Sequence, residues 1–183
     1  MTVREIARSS ASLLQADDIE ELLAAEDVNA EDDADVKALV RCVNLAVSEL
    51  AGNGFLRDAS ATAEAADGVI PFAVLSPAPI KITAVRKNGV CVNFAVDGRG
   101  IAVYADGTYE VRYTPAPPEY GLDDETELAE FCPSDAAACL AARNYCLVTG
   151  RTDDASVWDQ MYERHAELFR LTRRASLPTR KWK

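Results

Sequence analysis

The stretch whose reading decides the fold is Gly107-Thr108-Tyr109-Glu110-Val111-Arg112-Tyr113-Thr114-Pro115-Ala116-Pro117-Pro118. Tyr109, Val111 and Tyr113 alternate with Glu110 and Arg112, the two-residue period of a strand with one packed face and one wet face. Pro115, Pro117 and Pro118 then stop it, because proline has no amide hydrogen to offer a ladder. The bulky face of this strand is expected to meet helices.

Upstream, the same β-branched and aromatic texture reaches back to Val69. It is broken at Ser76-Pro77-Ala78-Pro79, Lys87-Asn88-Gly89, Asp97-Gly98-Arg99-Gly100 and Ala105-Asp106-Gly107, each a turn signal. Strands are therefore expected near 69–75, 80–86, 90–96, 100–104 and 108–114. Links this short join antiparallel neighbours, and the simplest topology is a β-meander. Residues 57–68, built of small side chains with almost no apolar bulk, read as a loop.

Helical patterns lie on both sides. Thr2 followed by Glu5 is a capping-box pair, opening a helix towards Leu13 and Leu14. Asp17 and Asp18 precede Ile19, Leu22 and Leu23 in a second short helix, with acids where the helix dipole favours negative charge. Val36, Leu39, Val40, Val43, Val47 and Leu50 keep the three-and-four spacing of a third, ended by Gly52-Asn53-Gly54. After an acidic connector over 119–130, an alanine-rich helix runs from Pro133-Ser134-Asp135 to Val148, and Gly150 closes it. Thr152-Asp153-Asp154 starts the last helix, through Trp158, Met161, Tyr162, Leu168 and Phe169. The short link makes these two an antiparallel hairpin.

The fold class is thus α+β: N-terminal helices (1–56), a central antiparallel run of about five short strands (69–114) and a C-terminal helical hairpin (134–175). A single domain over 1–175 is expected, with an extended basic tail over 176–183 after Pro178.

Composition narrows the function. In 183 residues, 49% hydrophobic content is ample for a core. A net charge of −11, with 30 acids against 19 bases, excludes a general nucleic-acid coat, which needs clustered cations. No apolar run approaches the roughly 20 residues that span a bilayer. The start, Met1-Thr2-Val3-Arg4-Glu5, lacks the zones of a signal peptide, so synthesis in the cytosol and no membrane partner are expected. Cys42, Cys91, Cys132, Cys139 and Cys146, odd in number, read as buried reduced thiols.

Catalytic chemistry finds little to stand on. Cys132, Cys139 and Cys146 recur every seven residues, but positions seven apart on a helix are separated by about 10 Å, too far to share a zinc ion or a disulfide. A stripe of small residues for close helix packing is the better account. His165, the one histidine, falls beside Met161, Tyr162, Leu168 and Phe169 and reads as a core or interface histidine. No Gly-x-Ser-x-Gly elbow is present, and Asp97-Gly98-Arg99-Gly100 lacks the lysine and the glycine pattern of a phosphate loop. The acidic clusters at 17–35 and 119–130 do not match a calcium loop and read as solvated helix starts and linkers. No catalytic, cofactor-binding or metal-ligating residue is nominated, and the chain is read as a non-enzyme needing no cofactor.

Charge asymmetry says more. Residues 1–35 hold eleven acids against Arg4 and Arg8, whereas 170–183 hold six bases and no acid. Trp182 sits among cations in Thr179-Arg180-Lys181-Trp182-Lys183. Tryptophan and arginine are the residues that anchor interfaces, so Arg173, Arg174, Arg180, Lys181, Trp182 and Lys183 are the candidate partner-binding residues, a solubilising tail being the alternative.

The order of elements, the Gly107–Pro117 stretch, Tyr145-Cys146-Leu147-Val148-Thr149-Gly150-Arg151 and Trp158-Asp159-Gln160-Met161-Tyr162 together resemble the head-to-tail adaptor (connector) proteins of tailed bacteriophages and prophages. The resemblance runs from about Asp17 to the C-terminus and rests on texture and order. It implies a structural virion protein of the neck, made in the host cytoplasm. Such proteins form homo-oligomeric rings, usually of about twelve copies, that dock on the portal, meet a tail or stopper protein, and let DNA pass through the lumen without specific binding. Residues 173–183 match the portal-docking tail by position and charge, and 57–68 would be an inter-subunit or lumen-facing arm. The large strand region departs from a simple helical adaptor and keeps tail-completion and tail-tube proteins as alternatives. A cytosolic protein-interaction module and an enzyme resting on His165 or an acidic pair are further ones.

Overall fold

Helix formation starts where the capping pair places it. In the computed structural model, which describes residues 1–25, 30–128 and 132–175, the Glu5 amide donates to Thr2 Oγ1 at 3.2 Å and the Thr2 amide donates to Glu5 Oε2 at 2.8 Å. Helix α1 (Val3–Leu14) follows, burying Val3, Ile6, Ala7, Ser10, Ala11 and Leu14 on one face. Helix α2 (Asp17–Ala24) carries three acids in its first turn and buries Ile19 and Leu23. Asp33 Oδ1 accepts the amides of Asp35 and Val36 at 2.9 and 3.0 Å, fixing the start of α3 (Ala34–Gly52). Helix α4 (Ser134–Val148) and helix α5 (Thr152–Ala175) are joined through Gly150, whose φ of +78° suits the missing Cβ.

Packing divides the described chain into two compact units. One comprises Met1–Val47 with the chain from Glu119 onward, the other Ser48–Pro118. The α+β class with helices at both ends and antiparallel strands between is as expected.

In the helical unit α4 packs against both α5 and α1, and α1 also packs on α2. Every residue from Ala136 to Ala142 is buried, and Asn144 reaches the Cys42 carbonyl of α3 at 3.3 Å. The acidic connector, expected as a solvated linker, is anchored instead. The amides of Val3 and Arg4, which have no partner inside α1, donate to the carbonyls of Asp124 at 3.0 Å and Leu122 at 2.8 Å. Arg4 pairs with Asp123 at 2.6 Å. Asn44 mimics a strand partner for Tyr120, donating to its carbonyl at 2.9 Å and accepting its amide at 2.8 Å. Tyr120, Leu122 and Leu128 are buried as a result.

The strand unit holds seven strands: β1 (Ala59–Ala65), β2 (Val69–Pro71), β3 (Pro79–Lys87), β4 (Val90–Cys91), β5 (Ala95–Asp97), β6 (Gly100–Ala102) and β7 (Gly107–Pro115). They form an antiparallel sheet ordered β1-β7-β3-β4 and a second ordered β2-β6-β5. The order differs from a plain meander, because β7 returns to lie between β1 and β3. Residues 90–96, expected as one strand, divide between the sheets, and 69–75 ends in a 3-10 turn at Phe72–Val74.

The stretch 57–68 is not a loop. Most of it is β1, in full register with β7: Ala59 opposite Tyr113, Ala61 opposite Val111, Ala63 opposite Tyr109. The period-two pattern was present, since alanines alternate with the exposed Ser60, Thr62 and Glu64. It lacked bulk because the bulk is on β7, and small side chains beside large ones let the shared face pack. That face also corrects the expected docking against helices. Tyr109, Val111 and Tyr113 pack with Ile70, Leu75, Val85, Ile101 and Val103, a core formed between the two sheets. Each tyrosine hydroxyl finds a carbonyl, Tyr109 that of Ala105 at 2.6 Å and Tyr113 that of Ser76 at 3.1 Å.

Asp97-Gly98-Arg99-Gly100 is the β5–β6 hairpin, with Asp97 Oδ1 accepting the amides of Arg99 and Gly100 at 2.8 and 3.2 Å. A Cβ added at Gly100 would lie 2.2 Å from the Ile70 carbonyl oxygen, whereas one at Gly98 meets nothing within 4 Å. Gly100→Ala is expected to lower stability by about 1–3 kcal/mol through overpacking, and Gly98→Ala by well under 1 kcal/mol. Urea unfolding of the two variants checks the difference, and equal midpoints would contradict this packing.

Candidate functional site

The sequence nominated the basic C-terminal end. Arg173 and Arg174 stand in the last turn of α5, while Arg180, Lys181, Trp182 and Lys183 lie outside the described residues. The structure therefore brings none of the six into a described contact, and candidate surfaces have to be built from the rest of the helical unit.

One is a groove of about 610 Å³. Helix α4 supplies its floor with Asp135, Ala138 and Cys139, because alanine and cysteine leave room above the helix. Glu5, Arg8 and Leu13 come from α1, Glu20 from α2, and Met161 and His165 from α5. Three carboxylates face one arginine and one histidine around an apolar base. Such a site suits a cationic ligand with an apolar anchor. His165 is half-buried at this groove, which Ser9, Ser12 and Cys139 also line. A smaller depression of about 260 Å³ lies between α3 and the connector, lined by Val36, Lys37, Val40 and Arg41 with Tyr120 and Leu122.

Exposed apolar side chains mark a second kind of surface. On the helical unit Leu45, Leu147, Val148, Val157 and Leu168 are each more than half exposed, Val148 at 67% and Leu168 at 64%. Val157 and Leu168 are eleven residues apart on α5, close to three full turns, so they share one face with Met161. Ala155, Tyr162 and Ala166 of α5 are buried.

The cysteines divide by position. Cys139 and Cys146 on α4 and Cys42 on α3 are buried. Cys132 is half-buried and precedes α4, so the helical stripe contains only two of the three, and Cys91 on β4 is exposed, against the expectation of five buried thiols. Burial pushes the Cys42 thiol up to about 11 and Cys132 up to about 12, and it also raises Cys139 and Cys146. All five are free thiols, and the described residues hold no grouping of three His, Cys, Asp or Glu able to share a metal ion.

Nothing in the sequence announced the groove, since its walls come from residues 5–20, 135–139 and 161–165. Only the placement of acids near helix starts was legible. Compared with protein-family models and with curated proteins, the chain matches none.

The thiolate is the reactive form of cysteine, and burial that raises a thiol's pKa suppresses it at neutral pH. Iodoacetamide at pH 8 is therefore expected to modify Cys91 at least tenfold faster than Cys42, Cys132, Cys139 or Cys146 in the folded chain, with all five reacting alike in urea. Peptide mass mapping over time checks this, and equal native rates would contradict the burial.

Proposed function

We propose that this chain is a structural assembly protein of a tailed-phage neck, a connector whose copies form a ring that docks on a portal and joins capsid to tail. The observation that carries the proposal is the apolar face of α5, where Val157 and Leu168 are exposed and Met161 half-buried, on a unit that also exposes Leu45, Leu147 and Val148. Such a face suits contact with other chains. The element order adds support, because the strand unit is inserted between α3 and α4 of the helical unit, the same succession on which the sequence resemblance rests.

Electrostatics fits the same role. A net charge of −11 keeps copies soluble before assembly and leaves a surface with little grip on phosphates, as a DNA-conducting lumen requires. The basic residues from Arg173 onward act as a contact arm, opposite in sign to the acidic first 35 residues. The chemistry of this protein is binding, and no catalytic step is assigned to it.

Negative-stain microscopy of the purified chain, alone and mixed with a portal ring, tests the reading. Closed rings are expected in at least one of the two. Val157→Asp combined with Leu168→Asp, both at exposed positions, is expected to leave the melting temperature within a few degrees and to weaken assembly by about tenfold or more. A chain that stays monomeric in both preparations would overturn the proposal.

A further inference from the structure

We infer that the groove over α4 is the receptor for the C-terminal segment of a second copy of this chain, residues 176–183 of one copy lying in the groove of the next with Trp182 as anchor. The inference deepens the connector reading and rests on it for its setting. It assigns the basic segment to the contact between subunits instead of to the portal.

Charge is the first argument. Glu5, Glu20 and Asp135 face the groove against Arg8 and His165, while 176–183 carries Arg180, Lys181 and Lys183 and no acid. Surfaces of opposite sign that meet in this way set partner and register. The apolar base is the second. Leu13, Ala138, Cys139 and Met161 line a space of about 610 Å³, within the roughly 300–1,000 Å³ of sites that hold a compact ligand. An indole is the one large apolar group the segment can place there besides Leu177. Thioether sulfur against an aromatic ring is a favourable pairing, and Met161 supplies it.

Reach favours a neighbour's groove over the chain's own. Met161 lies fourteen residues before Ala175 on the same helix, which is about 21 Å along its axis. Residues 176–182 span at most about 24 Å when fully extended. Reversing direction uses part of that length, so the chain's own groove is reached only with the segment near full extension. A second copy imposes no such limit.

Groove and segment are different surfaces, so each copy gives one and receives one. Contacts of that kind are heterologous and propagate, closing into a ring when the rotation allows. Among the described residues every group lining the groove belongs to the helical unit, so the receptor is complete within one subunit.

The test mixes two full-length variants. The segment variant carries Arg180→Ala, Lys181→Ala and Trp182→Ala; the groove variant carries Glu20→Lys and Met161→Glu. Sedimentation velocity is expected to show that the unaltered chain associates with rising concentration, that each variant alone is monomeric, and that an equimolar mixture stops at a dimer of one of each. Trp182→Ala alone is expected to weaken association by about thirty-fold, and added salt to weaken it further. Glu20→Lys alone, a charge change at a half-exposed site, covers the case in which Met161→Glu fails to fold, and it is expected to weaken association in the same direction.

A mixture that remains monomeric, an unaltered chain that never associates, or variants that associate as the unaltered chain does would each overturn the inference. So would a segment variant that still forms rings and loses only the portal. That last result would leave the connector reading intact. Open filaments from the unaltered chain, with the one-of-each dimer from the mixture, would support the groove contact and remove the ring.

Discussion

Close approach to α4 is the constraint on which the helical unit depends. The buried run from Ala136 to Ala142 touches α1 and α5 at once with small side chains at every position but Leu140. Alanine supplies that at the lowest cost in helix propensity, and cysteine serves as an alanine with slightly more volume. Larger side chains at Ala138 or Cys139 would push α1 and α5 outward and fill the groove that they frame. The shape of the candidate site is therefore a consequence of how thin α4 is.

The strand unit solves the same problem with the sizes reversed. β7 carries the bulk in Tyr109, Val111 and Tyr113, and β1 beside it carries alanine at each facing position. The shared face then closes on Ile70, Leu75 and Ile101 of the second sheet's side. A β-branched or aromatic residue at Ala61 or Ala63 would compete with its cross-strand neighbour for one volume. In both units one element contributes mass and its neighbour makes room, as native packing density requires.

The connector of residues 119–128 shows how polar groups hold a segment without secondary structure of its own. It supplies carbonyls to the first amides of α1 and takes both backbone groups of Tyr120 from Asn44. Its acids are only partly solvent-facing decoration, since Asp123 is tied to Arg4. The side chain of Arg4 holds the Asp123 carboxyl below the usual carboxylate range through that hydrogen bond. Glu5 Oε2 is held by the Thr2 amide in the capping box, and Glu20 is the acid of these first helices that remains available at the groove.

Legibility followed the range of each signal. The capping pair Thr2 and Glu5, the periodic apolar residues of α3, the turn at Asp97–Gly100 and the alternation in β7 are local patterns, and the sequence by itself determined those elements and the α+β class. The acidic front and the basic end were legible for the same reason, as counts along the chain. β1 was misread because an alanine-rich strand carries no apolar bulk of its own and becomes a strand through Tyr109 and Tyr113, some fifty residues away. The strand order, the division into two units and the groove were decided only by tertiary structure. Each depends on contacts between residues far apart in sequence, where the size of one side chain sets the space left for another, and no short window of residues contains both.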